Sequence, residues 1–132
     1  MNRGMITEYL SSLLNEEFKY GTNDCHVVAF NVIDIILSTE YHLELVGKYK
    51  TAIGGFKHLA KKGTFKNIHD ICEQLGELQE YPNDGDILVH PTENHCSVYW
   101  KGKLLVVNEL TKTYELQKYS HDMEYQIYKI RK

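Results

Sequence analysis

Tyr20-Gly21-Thr22-Asn23-Asp24-Cys25 is the stretch that decides how the chain is read. A polar, glycine-containing turn ends on a cysteine, and Val27-Val28-Ala29-Phe30, Ile33, Ile36 and Leu37 follow at once. Apolar residues on nearly every side of about three helical turns predict a helix buried in the middle of a domain. Asp24 is suited to cap it, its carboxylate accepting from first-turn amides. Cys25 then takes the first helical position, where free N–H groups and the helix dipole favour a thiolate over a thiol. A cysteine so placed is a candidate nucleophile.

A thiolate nucleophile needs a base and a group to orient that base. Asn94-His95-Cys96-Ser97-Val98-Tyr99-Trp100 reads as a strand headed by a histidine, and Leu104-Leu105-Val106-Val107-Asn108 as a second strand ending on an amide. With Lys101-Gly102 as a two-residue hairpin turn, Trp100 pairs with Lys103 and Asn108 falls opposite His95. Directly opposed residues lie about 5 Å apart, close enough for an amide oxygen to accept from an imidazole. Alternation puts His95, Ser97 and Tyr99 on one face and Cys96, Val98 and Trp100 on the other. If His95 faces the Cys25 helix, Cys96 points away. The expected catalytic set is Cys25, His95 and Asn108.

Around this site the chain reads as one α+β domain over residues 1–132, with helices over about 5–78 and a β-meander over about 84–131. Thr7 or its neighbours start a first helix carrying Leu10, Leu13, Leu14 and Phe18 at helical spacing. Phe56, Leu59 and Ala60 mark a short helix stopped near Gly63. Ile68, Ile71, Cys72 and Leu75 mark another, with Gly76 as its C-terminal cap and Cys72 in the core. Ile87-Leu88-Val89, His95 to Trp100, Leu104 to Val107, Tyr114 to Tyr119 and Tyr125 to Ile130 are the expected strands.

Composition bounds the function. Apolar residues are 42% and charged residues 25%, and the formal net charge is −3. This is an ordinary globular balance with no basic footprint for nucleic acid. Three cysteines without a CxxC pair are no disulfide framework and suggest a reducing compartment. No stretch has the length of a membrane span, and the N-terminus lacks the apolar core of a signal peptide, so cytoplasmic synthesis is expected. Cys25, His26, His95 and Cys96 also form a conceivable zinc set. Neighbours on a strand point to opposite faces, which argues against His95 and Cys96 sharing an ion, so neither metal nor cofactor is expected. His42, His58, His69, His90 and His121 have no ligand spacing and read as surface residues.

Taken in order, Tyr20-Gly21, Asn23-Asp24-Cys25, Gly85-Asp86-Ile87-Leu88-Val89, His95 to Trp100 and Val106-Val107-Asn108 resemble the NlpC-type branch of papain-like cysteine peptidases. The likeness spans roughly residues 8 to 110, and Lys48 to Gly63 is similar to an often phage-encoded subgroup. The departures are His26 for the usual serine after the cysteine, and Cys96-Ser97 for the Val-Gly after the histidine. The resemblance implies an NlpC-type fold with Cys25 as nucleophile, His95 as base and Asn108 as orienting residue. It implies cleavage of a peptide-type amide in cell-wall peptidoglycan through a thioester. Tyr20 and Asp24 would contact substrate, and phage tail or lysis proteins would be partners, with the protein carried on a virion. The alternative is a non-catalytic module of the same scaffold, used in tail assembly.

Overall fold

A computed structural model describes residues 2–132. Four helices, α1 (Arg3–Leu13), α2 (Cys25–Leu37), α3 (Ala52–Lys62) and α4 (Ile68–Leu75), precede most of a six-stranded sheet. The strands are β1 (Gly76–Gln79), β2 (Ile87–Val89), β3 (Cys96–Trp100), β4 (Lys103–Asn108), β5 (Thr113–Lys118) and β6 (Gln126–Ile130). Their order is β1-β6-β2-β3-β4-β5, and every pairing is antiparallel. The architecture is α+β, as the sequence pattern requires.

Two details differ from a helices-then-meander reading. The chain enters the sheet directly from α4: Gly76, its C-cap, is already the first residue of β1. The short β1 exposes Leu78 and carries no continuous apolar signal. The last strand, β6, does not extend the meander past β5 but returns to lie between β1 and β2. The first helix also starts earlier than Thr7, capped by the Asn2 side chain on the Met5 N–H, and Phe18 lies beyond its end.

One face of the sheet carries Ile87, Val89, Cys96, Val98, Trp100, Leu105, Tyr114, Tyr128 and Ile130 into a core shared with α1, α2 and α4. Helix α2 lies at its centre, with Val27, Ala29, Phe30, Val32 and Ile33 almost wholly buried. The opposite face has a smaller cluster of Leu88, Leu104 and Ile127 under Tyr99, Tyr119, Met123 and Tyr125. This division follows from side chains alternating between the two faces of each strand.

The loop before α2 is fastened at both ends. The segment after α1 is stitched to β5, Asn15 N–H donating to Tyr114 O at 2.9 Å and Phe18 N–H to Lys112 O at 2.8 Å. Gly21 then takes φ +76°, and a Cβ built there would lie 2.0 Å from the Tyr49 carbonyl oxygen. Both the backbone conformation and the space demand glycine. Gly21→Ala is expected to cost about 2 kcal/mol or more of unfolding free energy. Urea denaturation of the two proteins measures it, and an unchanged midpoint would contradict the tight approach.

Candidate functional site

Asp24 builds the site. It caps α2, its Oδ1 accepting from His26 and Val27 N–H at 3.1 Å each. Its Oδ2 accepts from Gly21 N–H at 2.8 Å and from the Tyr49 hydroxyl at 2.6 Å. The carboxylate is 4% exposed with four donors already in place, so it orders the loop and is not free to receive a substrate. For Asp24, for which the resemblance implies a substrate contact, the structure shows partners in the loop, in α2 and at Tyr49. The Val28 N–H goes to Asp24 O, which leaves the Cys25 N–H as the uncommitted first-turn donor among the described residues.

Cys25 faces a cleft of about 870 Å³ walled by Phe18, Tyr20, Phe56, Asn94, His95 and Tyr125, among others. Tyr20 is 44% exposed at the rim, its ring edge-on to Phe18. The Cys25 thiol is held well below its ordinary pKa, first by hydrogen bonding with Cys96, then by His95 and the charge of His26, against burial that pushes it up. His95 is moved the other way, raised by its hydrogen bond with Cys25 against desolvation. Cys96 is pushed well above an ordinary thiol by its partnership with Cys25 and by burial. The two thiols are thus shifted in opposite directions, Cys25 toward the thiolate and Cys96 toward the thiol, while His95 is shifted toward its protonated form.

The structure brings Cys25 and His95 together but leaves Asn108 apart. The turn Lys101-Gly102 has positive φ at both residues and sets Trp100 against Lys103, the expected register. Backbone pairing of β3 with β4 is confined to Tyr99–Leu104 and Trp100–Lys103. Farther along, the Ser97 hydroxyl donates to Leu105 O at 2.8 Å in place of ladder bonds. The strand ends therefore do not carry Asn108 to His95. Asn108 Oδ1 instead accepts from Leu110 and Thr111 N–H in the β4–β5 turn, and its Nδ2 donates to Glu115. The partner of His95 is Tyr125, whose hydroxyl is 2.8 Å from Nε2. Tyr125 immediately precedes β6, so only the return of that strand beside β2 delivers it.

The faces of β3 also differ from expectation. The Cys96, Val98, Trp100 face packs on α2, and the Cys96 thiol donates to Cys25 O at 3.3 Å. His95 lies just before β3, where strand alternation does not govern its direction, and so both it and Cys96 approach Cys25. His26, 5% exposed, bonds through Nε2 to Asn94 O. Ligand atoms of Cys25, His26 and Cys96 all lie within 4.8 Å of one another. Of the histidines read as surface residues, His42 is drawn to the buried Asp34 carboxylate at 2.6 Å.

The profile of a family described as a domain of unknown function (DUF6950) matches residues 3–121. The chain belongs to that DUF6950 family. The match covers the cysteine loop, the four helices and β1 to β5 and ends before β6. No curated protein and no solved structure matches the chain.

Because hydrogen bonding with Cys96 is the foremost stabiliser of the Cys25 thiolate, Cys96→Ala is expected to raise the apparent pKa of Cys25 labelling. Iodoacetamide rates followed by mass spectrometry from about pH 5 to 9 should place the unmodified protein well below the ~8.5 of a free thiol. A Cys25 labelled only after unfolding would identify it as an inert core thiol.

Proposed function

We propose that this protein is a cysteine hydrolase of NlpC-like, papain-like type that cleaves a peptide-type amide bond, with cell-wall peptidoglycan as substrate class. The observation that carries the reading is the pairing of Cys25, at the N-terminus of a buried helix, with the His95 imidazole in one cleft, where the thiol is held down, first by Cys96 and then by His95, and the imidazole is pushed up by its hydrogen bond with Cys25. The order of the cysteine, histidine and strand motifs supports the same assignment. Phage tail or lysis proteins are the proposed partners that bring the protein to a wall.

In this mechanism the Cys25 thiolate attacks the amide carbonyl carbon, and the oxyanion forms beside the Cys25 N–H and the helix dipole. His95 gives its proton to the leaving amine as the C–N bond breaks, leaving a thioester on Cys25. His95, now neutral, takes a proton from water, whose oxygen attacks the thioester. The carboxylic acid departs and the thiolate–imidazolium pair is restored. Tyr125, bonded to Nε2, holds the ring and leaves Nδ1 as the nitrogen available to the thiol. It takes the positioning role first expected of Asn108. Tyr20, at the cleft rim, is the remaining candidate for substrate contact.

Hydrolysis of peptidoglycan stem peptides tests the reading. Cys25→Ala is expected to abolish turnover by at least about 10³-fold while circular dichroism is unchanged. Turnover that survives this change would remove the catalytic reading and favour the non-catalytic module.

Tyr125 and Asn108 separate two orienting schemes. Tyr125→Phe is expected to lower kcat by about tenfold, whereas Asn108→Ala leaves kcat within about twofold. The active form has Cys25 deprotonated and His95 protonated. Activity therefore rises with pH through the depressed pKa of the pair and falls above the raised one. Losing the Tyr125 oxygen destabilises the imidazolium, so the descending limb of the Tyr125→Phe profile should move to lower pH. A limb that stays in place would make Tyr125 a packing residue only.

A further inference from the structure

The proposed catalysis uses one sulfur and one imidazole of the cleft as reacting groups, while Cys96 and His26 stand beside them without a reacting role. Cys96 is 2% exposed and His26 5% exposed, on two different elements, yet both converge on Cys25. The three side chains offer two sulfurs and a ring nitrogen within 4.8 Å of one another. Two thiolates bound to one zinc ion at ~2.3 Å in a tetrahedron lie about 3.8 Å apart, so closure needs movements of about 1 Å or less.

The histidine has the support expected of a ligand. Its Nε2 faces the carbonyl oxygen of Asn94, which can only accept, so Nε2 donates there and Nδ1 is the nitrogen left for an ion. A backbone carbonyl holding the second ring nitrogen is the usual outer partner of a metal-bound histidine. Asp24, the nearest carboxylate in sequence, already has four donors and is no competitor for the ion.

We infer that Cys25, His26 and Cys96 form a binding site for a thiophilic d¹⁰ cation, Zn²⁺, and that the ion silences the thiol. Two S–Zn bonds and one N–Zn bond form, the proton still carried by Cys96 passes to solvent, and its hydrogen bond to Cys25 O is given up. All three residues line the cleft, from which a water would complete the tetrahedron. Soft thiolates with one imidazole select zinc over magnesium or calcium, whose preferred ligands are oxygens. Only the silencing clause rests on the proposed hydrolase activity; the binding does not.

The test titrates the reduced, metal-free full chain with Co²⁺ as a spectroscopic probe and Zn²⁺ by calorimetry. The expected result is one ion per chain, with thiolate-to-cobalt charge transfer and tetrahedral d–d bands that Zn²⁺ removes. Zn²⁺ should also protect Cys25 of the unmodified protein from iodoacetamide, and a chelator should restore labelling. His26→Ala is expected to weaken binding about 100-fold or more, while Cys72→Ala, buried among α4 residues, leaves it unchanged. Absence of charge transfer and of protection overturns the site, as does His26→Ala binding like the unmodified protein. Protection by zinc with no peptide hydrolysis by the metal-free protein would retain the site and reject the hydrolase. Hydrolysis lost in Cys25→Ala without zinc binding would do the reverse.

Discussion

The Asp24 carboxylate is the interaction on which the rest of the site depends. Its four hydrogen bonds join the first turn of α2, the Gly21 loop and Tyr49 into one rigid corner. A buried carboxylate is tolerated only when its lone pairs are met by donors, and here they are. The consequence lies one residue on: Cys25 has a fixed backbone and an N–H left over, facing a cleft. The apolar helix behind it supplies the rigidity, and the stitching of the α1–α2 segment to β5 keeps the cleft wall from drifting.

The thiol environment then follows from two neighbours of unequal character. Cys96 is sealed in the core, where its partnership with Cys25 and its burial push its thiol up while the Cys25 thiol is held down. His95, at the mouth, contributes as a proton-holding imidazole and is tied back by Tyr125. Low thiol pKa and close donors are what a nucleophile requires. The same thiolate beside a second sulfur and a lone-pair imidazole is also what a soft metal ion requires. One arrangement of three side chains therefore carries both proposals, and the proton on Cys96 separates them.

Much of this was legible in the chain because it is local. The N-cap at Asp24, the buried α2, the cap at Gly76 and the Lys101-Gly102 hairpin each depend on residues within a few positions. That the strand after His95 packs on the cysteine helix was legible too, since a buried helix must pack against a buried strand. The Asn108 reading failed for a specific reason: register was extended from the hairpin turn, but the ladder ends after two pairs and Asn108 closes its own turn. Strand alternation misled about Cys96, because His95 stands outside the strand it was grouped with.

By itself, then, the sequence determined an α+β chain, the capped cysteine helix, the hairpin register and the candidate nucleophile with its base. These are consequences of side-chain periodicity and of caps and turns, whose energies are set within one or two turns of chain. Only the tertiary structure decided that β6 returns between β1 and β2, bringing Tyr125 to His95, and that Cys96 is carried to Cys25. Those contacts join residues some thirty to seventy positions apart. Nothing in local propensity encodes them; they arise from which sheet edge is left to be paired and which strand face is left to be buried.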